Sequence, residues 1–184
     1  FLAQDLLNEL CEITQANIEA AQYFKTKSDK DLNERASEQS WSILECLEHL
    51  NRYGAFYIPE IRNRMKSNAH ILPQETFRSG VIGNYFANSM QLKNGSHKMK
   101  TFKSMDPIHS TLSREVLDHF IKQQTEMLEL LEEACNCNLT SIKTAISITK
   151  LLRIRLGDTF RFVIYHNQRH IIQAQNILKI QQHL

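Results

Sequence analysis

The amino-acid sequence predicts an all-α protein that folds as a four-helix bundle. Four long segments repeat apolar residues at steps of three and four, which is the period of a helix with one buried face. Only five glycines and three prolines occur, and a β protein rich in tight turns would need more. The 184 residues suffice for a sizeable core, so we expect one domain over residues 1–184.

The first two helices have recognisable boundaries. The first is expected over residues 2–25, and the polar residues 28–40 after it are expected to form a connection. The second helix should begin at Ser42, because Ser42-Ile-Leu-Glu45 matches a capping box, in which two side chains bind the free N–H groups of a helix start. Pro59 is expected to kink this helix or to end it near Ile58, although residues 61–66 could continue it.

The remaining segments are less uniform. Residues 68–111 hold three of the five glycines and two of the three prolines, and a helical turn or two is expected within residues 76–90. A third helix should run from near Ser113 to near Cys135. Residues 142–152 are apolar and ambiguous, with a short helix as one interpretation. The fourth helix is expected from Asp158, acting as its N-cap, to about Gln181.

Charge and cysteine content bear on the class of protein. The formal charge of +2 gives no general argument for binding nucleic acid or a membrane, and no apolar run approaches the roughly 18 residues of a membrane span. The basic residues within 93–103 are interpreted as a solvated loop. Four cysteines without a visible secretory signal favour reduced thiols in a cytoplasmic protein; they are Cys11, Cys46, Cys135 and Cys137.

Two histidines near the end of the chain suggest a metal site. His166 and His170 are four residues apart in the predicted fourth helix, so both rings lie on one face and can bind the same ion. Asn167 follows the first histidine, so the glutamate base of a His-Glu-x-x-His zinc peptidase is missing. The alternative is a pair of core histidines that hydrogen-bond to neighbouring side chains.

His49 is the best candidate for a third ligand. It lies on the inward side of the predicted second helix, although a core histidine is again the alternative. Glu45, Arg52 and Gln173 are candidates for residues that support the ligands, and Glu45 already has a role in the capping box. The pair Cys135 and Cys137 lacks a second cysteine pair to complete a zinc site. The other histidines are interpreted as surface residues; they are His70, His97, His109, His119 and His183.

Two motifs resemble those of a known family. The segments Trp41-Ser42-x-x-Glu45-x-x-x-His49-Leu50 and Tyr165-His166-x-x-x-His170-Ile171-x-Gln173 resemble the DinB-like superfamily, which includes the YfiT-type proteins. The resemblance implies a four-helix bundle in up-down-down-up order. It also implies a divalent metal ion, zinc or nickel, held by three histidines that correspond to His49, His166 and His170. Some members of this superfamily use bacillithiol, mycothiol or glutathione as a cosubstrate, and many have no assigned reaction.

These observations lead to one main functional hypothesis and two alternatives. The main one is a metal-dependent enzyme that transfers a low-molecular-weight thiol to a small-molecule substrate, or hydrolyses that substrate. The first alternative is a non-catalytic, stress-related binding or scaffold protein whose metal is structural or absent. The second is a nucleic-acid accessory factor, suggested by residues 93–103 and opposed by the balanced charge. A homodimer is compatible with a small bundle, although no exposed apolar seam identifies one.

Overall fold

The computed structural model describes residues 1–91 and 101–181, and most of these residues are helical. A short 3₁₀ turn lies at Lys103–Met105, and a two-stranded antiparallel sheet is formed by β1 (Lys143–Ile146) and β2 (Thr149–Arg155). The protein is therefore mainly α-helical, as expected, and it also contains a small sheet that was not expected. The helices found in the described ranges are α1 (Ala3–Phe24), α2 (Asp29–Asn33), α3 (Ile43–Ser67), α4 (Val81–Met90), α5 (Glu115–Ala134) and α6 (Leu156–Gln181).

The four long helices α1, α3, α5 and α6 enclose the core. Helices α5 and α6 each pack against both α1 and α3. The core has two apolar clusters, one around Leu10 and Phe160 and the other around Phe24 and Phe120. Each long helix contributes one end to the first cluster and its other end to the second. Buried polar residues lie near the point where a helix passes from one cluster to the other; they include Thr14, Asn17, His49, Asn51, Gln123, Gln124, His166 and Asn167. The protein thus has a polar layer across the middle of its core.

The start of α3 confirms the predicted capping box. The Glu45 N–H donates to Ser42 Oγ at 3.2 Å, and the Ser42 N–H donates to Glu45 Oε2 at 2.8 Å. Of the alternatives for Pro59, an end of the helix near Ile58 is wrong, because α3 continues to Ser67 and includes residues 61–66, as the other alternative expected. Ile58 and Ile61 are buried on either side of the proline, and their packing offsets the loss of one backbone hydrogen bond.

The ambiguous segment 142–152 is a β-hairpin, so its interpretation as a short helix is wrong. Side chains of α3 bind its backbone: Glu60 Oε1 accepts from the Ala145 N–H at 2.8 Å, and the Tyr57 hydroxyl accepts from the Ser147 N–H at 3.1 Å. Thr144 and Ile154 pair across the strands, and both are buried. β-Branched residues favour extended backbone when one face is covered, and here α3 and α6 contact the hairpin.

Asp158 is not the N-cap of the last helix. Helix α6 begins at Leu156, which places Asp158 in its first turn. The Asp158 carboxylate accepts hydrogen bonds from the Ser79 hydroxyl, from the Gly80 N–H at 2.8 Å and from Arg161 Nη1 at 3.2 Å. A Cβ atom at Gly83 would overlap this carboxylate, so the close approach of α4 to α6 requires glycine there. Asp158 therefore binds the start of α4 instead of capping its own helix.

The irregular middle of the chain contains short elements. The helical turns expected within residues 76–90 are present as α4, and the connection expected at 28–40 contains α2. Residues 93–100 of the predicted basic loop lie outside the described residues, and residues 101–103, which include Lys103, lie within them. Within residues 1–91 and 101–181, no helix combines the length and apolar character that crossing a bilayer requires.

Candidate metal centre

Three histidine side chains meet where α3 packs against α6. His49 from α3 and His166 and His170 from α6 each present one ring nitrogen, and these three nitrogens lie within 4.8 Å of one another. Nε2 of His49 and Nε2 of His166 are 3.1 Å apart. The ring centroids of His49 and His170 are 4.6 Å apart, and those of His166 and His170 are 4.7 Å apart. The spacing of four brings two of these rings together on α6, and the helix packing adds the third.

Hydrogen bonds fix which nitrogen carries the proton in two of the rings. Nδ1–H of His49 donates to the Met105 carbonyl at 2.7 Å, since a carbonyl can only accept. Nδ1–H of His170 donates to Gln173 Oε1 at 2.9 Å. A neutral imidazole has a single N–H, so Nε2 of each ring keeps a free lone pair. This is the tautomer that a histidine needs to bind a metal ion through Nε2.

The third ring, His166, supplies a test of whether this site suits a metal. Its Nδ1 is buried and has no hydrogen-bond partner within the described part of the chain. This Nδ1 lacks a partner in either neutral tautomer, as an acceptor when Nε2 carries the proton and as a donor when it does not, so the test depends on Nε2. If Nε2 is protonated, it can donate to the free Nε2 of His49. If Nε2 is unprotonated, two lone pairs face each other at 3.1 Å and repel unless a cation binds both. Three imidazole donors in this arrangement therefore fit a divalent ion.

All three rings are uncharged at neutral pH. Burial lowers the pKa of His49 to about 4, and the Met105 hydrogen bond offsets only part of that effect. Burial, followed by proximity to His49, lowers the pKa of His170 to about 3. The pKa of His166 lies well below its usual range, first through burial and then through the other two histidines. A neutral ring is the form that binds a metal, so no proton must be removed at neutral pH.

Aromatic side chains surround the three histidines. The Trp41 ring lies 4.7 Å from that of His49, and the Tyr53 ring lies 4.6 Å from that of His166. Phe162 stacks on His166 with 3° between the ring planes. Sequence reasoning did not assign Tyr53 or Phe162 to the site, although each is four residues from one of these histidines. These rings limit the access of water and lower the local dielectric constant.

Gln173, Glu45 and Arg52, the candidates for residues that support the ligands, differ in their hydrogen-bond partners. Gln173 hydrogen-bonds to His170, as described above. Glu45 is occupied elsewhere, because its carboxylate forms a bidentate ion pair with Arg35 at 2.6 and 2.8 Å in addition to the capping box. Arg52 donates to the Glu48 side chain, to the Ser104 carbonyl in the 3₁₀ turn and to the Asp106 carbonyl just after it.

Among the described residues, the other histidines and the cysteines do not belong to this cluster. His70, His109 and His119 are exposed, and His97 and His183 lie outside the described residues. None of the four cysteines is in a disulfide. Cys135 is exposed at the end of α5, and Cys137 packs against the apolar cluster around Leu10.

Comparison with known proteins identifies the family. The family model of the DinB superfamily matches residues 12–174, a range that includes all three clustered histidines. No curated protein and no solved structure matches the chain significantly. Because the family model covers most of the sequence, the chain belongs to the DinB superfamily.

Proposed function

We propose that this protein is a metal-dependent enzyme in which His49, His166 and His170 bind one divalent ion, zinc or nickel. The observation that carries the proposal is the direction of the ring nitrogens: two tautomers are fixed by hydrogen bonds, and their free Nε2 atoms meet a third imidazole. The reaction we propose is transfer of a low-molecular-weight thiol to a small-molecule substrate, or hydrolysis of that substrate. Membership of the DinB superfamily supports a metal-dependent function.

The donor set is suited to catalysis. Three protein ligands leave a tetrahedral ion one position for a substrate, whereas closed structural sites use four. A divalent ion bound here would supply the positive charge that lowers the pKa of a coordinated thiol or water molecule. The chain itself would orient two of its ligands through Met105 and Gln173, and Trp41 and Tyr53 would restrict water around them.

We further propose that α1, α3, α5 and α6 form a four-helix bundle in up-down-down-up order. The distribution of the two apolar clusters supports this order. The cluster around Leu10 takes residues from the first halves of α1 and α6 and from the second halves of α3 and α5. The cluster around Phe120 takes the opposite halves. Helices α1 and α6 would therefore run in one direction, and α3 and α5 in the other.

The proposal includes the cellular setting and the partners. The cysteine content favours the cytoplasm, and the partner we expect is a small-molecule substrate. The nearly balanced charge argues against nucleic acid as a ligand. Formation of a homodimer is compatible with this function. Sedimentation of the purified protein would measure its oligomeric state.

Elemental analysis tests the metal site directly. We expect one divalent ion per chain in the wild-type protein and in His70→Ala, whose exposed ring lies outside the cluster, and none in His49→Ala. Wild-type protein that binds neither zinc nor nickel when these are supplied would contradict the proposal.

Activity measurements separate a catalytic ion from a structural one. The metal-loaded protein is incubated with bacillithiol, mycothiol or glutathione and an electrophile, and separately with an activated ester. We expect turnover that disappears in His166→Ala and His170→Ala. A bound ion whose removal lowers stability, in a protein that turns over no substrate, would instead support the non-catalytic binding or scaffold protein.

A further inference from the structure

We infer that Arg52 is a positioning residue of the metal centre and that it acts through the backbone of the 3₁₀ turn Lys103–Met105. In this arrangement the Met105 carbonyl orients His49, and Arg52 holds that carbonyl in place. The inference rests on the proposed function for its metal-binding measurement. It also predicts the tautomer of His49 in the metal-free protein, which does not depend on that function.

Arg52 binds the turn on both sides of the acceptor. Its Nη1 donates to the Ser104 carbonyl at 3.4 Å and to the Asp106 carbonyl at 3.1 Å. Met105 lies between these two residues, and its carbonyl accepts the Nδ1–H of His49 at 2.7 Å. One guanidinium therefore fixes the peptide units that flank the carbonyl bound to His49.

The guanidinium is itself held in position. Nε of Arg52 donates to Glu48 Oε1 at 3.0 Å, one helical turn before it on α3. His49 lies on the same two turns of α3, so the ligand and the residue that holds its acceptor share one rigid element. Lysine could not reproduce this arrangement, because a single ammonium group cannot present a planar fork of donors to a carboxylate and two carbonyls.

Trp41 provides a second attachment of the same turn. Its Nε1–H donates to Asp106 Oδ1 at 3.0 Å, and that oxygen also accepts the Ile108 N–H at 3.1 Å. The indole ring packs against His49 and, at 5.5 Å between ring centroids, against His170. The turn is therefore joined to the centre through Arg52 on one side and through Trp41 on the other.

The position of the Met105 carbonyl matters because His49 can adopt two neutral tautomers. With the carbonyl in place, the proton stays on Nδ1 and the lone pair of Nε2 faces the other histidines. Without it, the proton can move to Nε2, and a ring protonated there cannot bind an ion through that atom. Loss of such an outer hydrogen bond typically weakens metal binding by about 10- to 100-fold.

The test compares Arg52→Gln with Arg62→Gln. Arg62 lies on the same helix and pairs with Glu126 on the surface, so it is a matched control. Zinc and nickel affinities are measured by competition with a chelator of known affinity. We expect binding about 10- to 100-fold weaker in Arg52→Gln, with unchanged stoichiometry, and wild-type affinity in Arg62→Gln.

Nitrogen-15 NMR of the metal-free proteins gives the second measurement. In the wild-type protein and in Arg62→Gln, we expect the His49 proton on Nδ1. In Arg52→Gln, we expect a mixture of both tautomers. If Arg52→Gln fails to fold, Arg52→Lys replaces it, since lysine keeps the positive charge beside Glu48 but cannot bind the carboxylate and both carbonyls together, and the same shifts in affinity and tautomer are expected.

The outcomes distinguish this inference from the proposed function. Wild-type affinity together with an unchanged His49 tautomer in the tested variant would overturn the inference and leave the metal site intact. If the wild-type protein binds no metal but the variant changes the tautomer, the inference stands and the proposed function fails.

Discussion

Nε2 of His49 and Nε2 of His166 lie 3.1 Å apart, although 117 positions separate these residues along the chain. The Met105 carbonyl occupies the other nitrogen of His49, so its Nε2 can only accept. Both histidines belong to the polar layer between the two apolar clusters of the core. The candidate centre is therefore built into the middle of the helical packing, where small shifts between α3 and α6 would separate its nitrogens.

The metal-free protein should lose stability as the pH falls below about 6.5. In the unfolded chain the histidines take up protons near their usual pKa of about 6.5, whereas in the folded protein His49 does so only near 4 and His170 near 3. Protons therefore favour the unfolded state between these limits, and each ring lowers the free energy of unfolding by up to about 1.4 kcal/mol per pH unit. Above pH 7 these rings should not change the free energy of unfolding as the pH changes.

Urea denaturation at several pH values, in the presence of a chelator, measures this dependence. The variant His49→Gln should show a smaller loss of stability between pH 7 and pH 5 than the wild type. The control His70→Gln changes an exposed ring outside the cluster and should retain the wild-type slope. Equal slopes in all three proteins would contradict the pKa shifts on which the expectation depends.

Gln173 should contribute to metal affinity through His170. Its Oε1 accepts the Nδ1–H of His170, so the change Gln173→Leu removes the acceptor while keeping a side chain of similar size. We expect zinc binding weaker by about 10-fold or more, measured by chelator competition. Gln175→Leu, two positions further along α6, is the matched control and should bind zinc as the wild type does. Identical affinities would show that Gln173 is only a polar filler.

The ion pair between Asp158 and Arg161 should contribute strongly to stability, because both side chains are almost fully buried. Asp158→Asn leaves the Arg161 charge buried beside neutral oxygens, and we expect a loss on the order of 3 kcal/mol in the free energy of unfolding. The exposed pair of Lys25 and Asp118 provides the comparison, and Asp118→Asn should cost less than about 1 kcal/mol. Similar losses in urea denaturation would mean that burial does not distinguish the two pairs.

Local sequence signals predicted the local structure well. The period of three to four apolar residues placed the long helices, and the capping box placed the start of α3. Errors arose where tertiary contacts override local preference. An end of α3 at Pro59 was one of the expected alternatives, and packing of Ile58 and Ile61 carries the helix past the proline. The apolar segment 142–152 became a hairpin because α3 binds its backbone.

The function of a side chain was hardest to predict when its partner lies far away in the sequence. Asp158 has the residue type and position of an N-cap, yet its carboxylate binds Ser79 and Gly80 of the segment that leads into α4. Arg52 was a candidate only through its proximity to His49, and its hydrogen bonds to the turn depend on how the connection returns to α3.

The sequence alone determined the helical character of the protein and the pairing of His166 with His170 on one face, because both follow from the geometry of a single helix. Only the tertiary structure decided that His49 faces that pair and that the Met105 carbonyl orients it. The first depends on the packing of α3 against α6. The second involves a backbone oxygen, and because every residue carries one, no pattern of side chains can reveal which oxygen will be used.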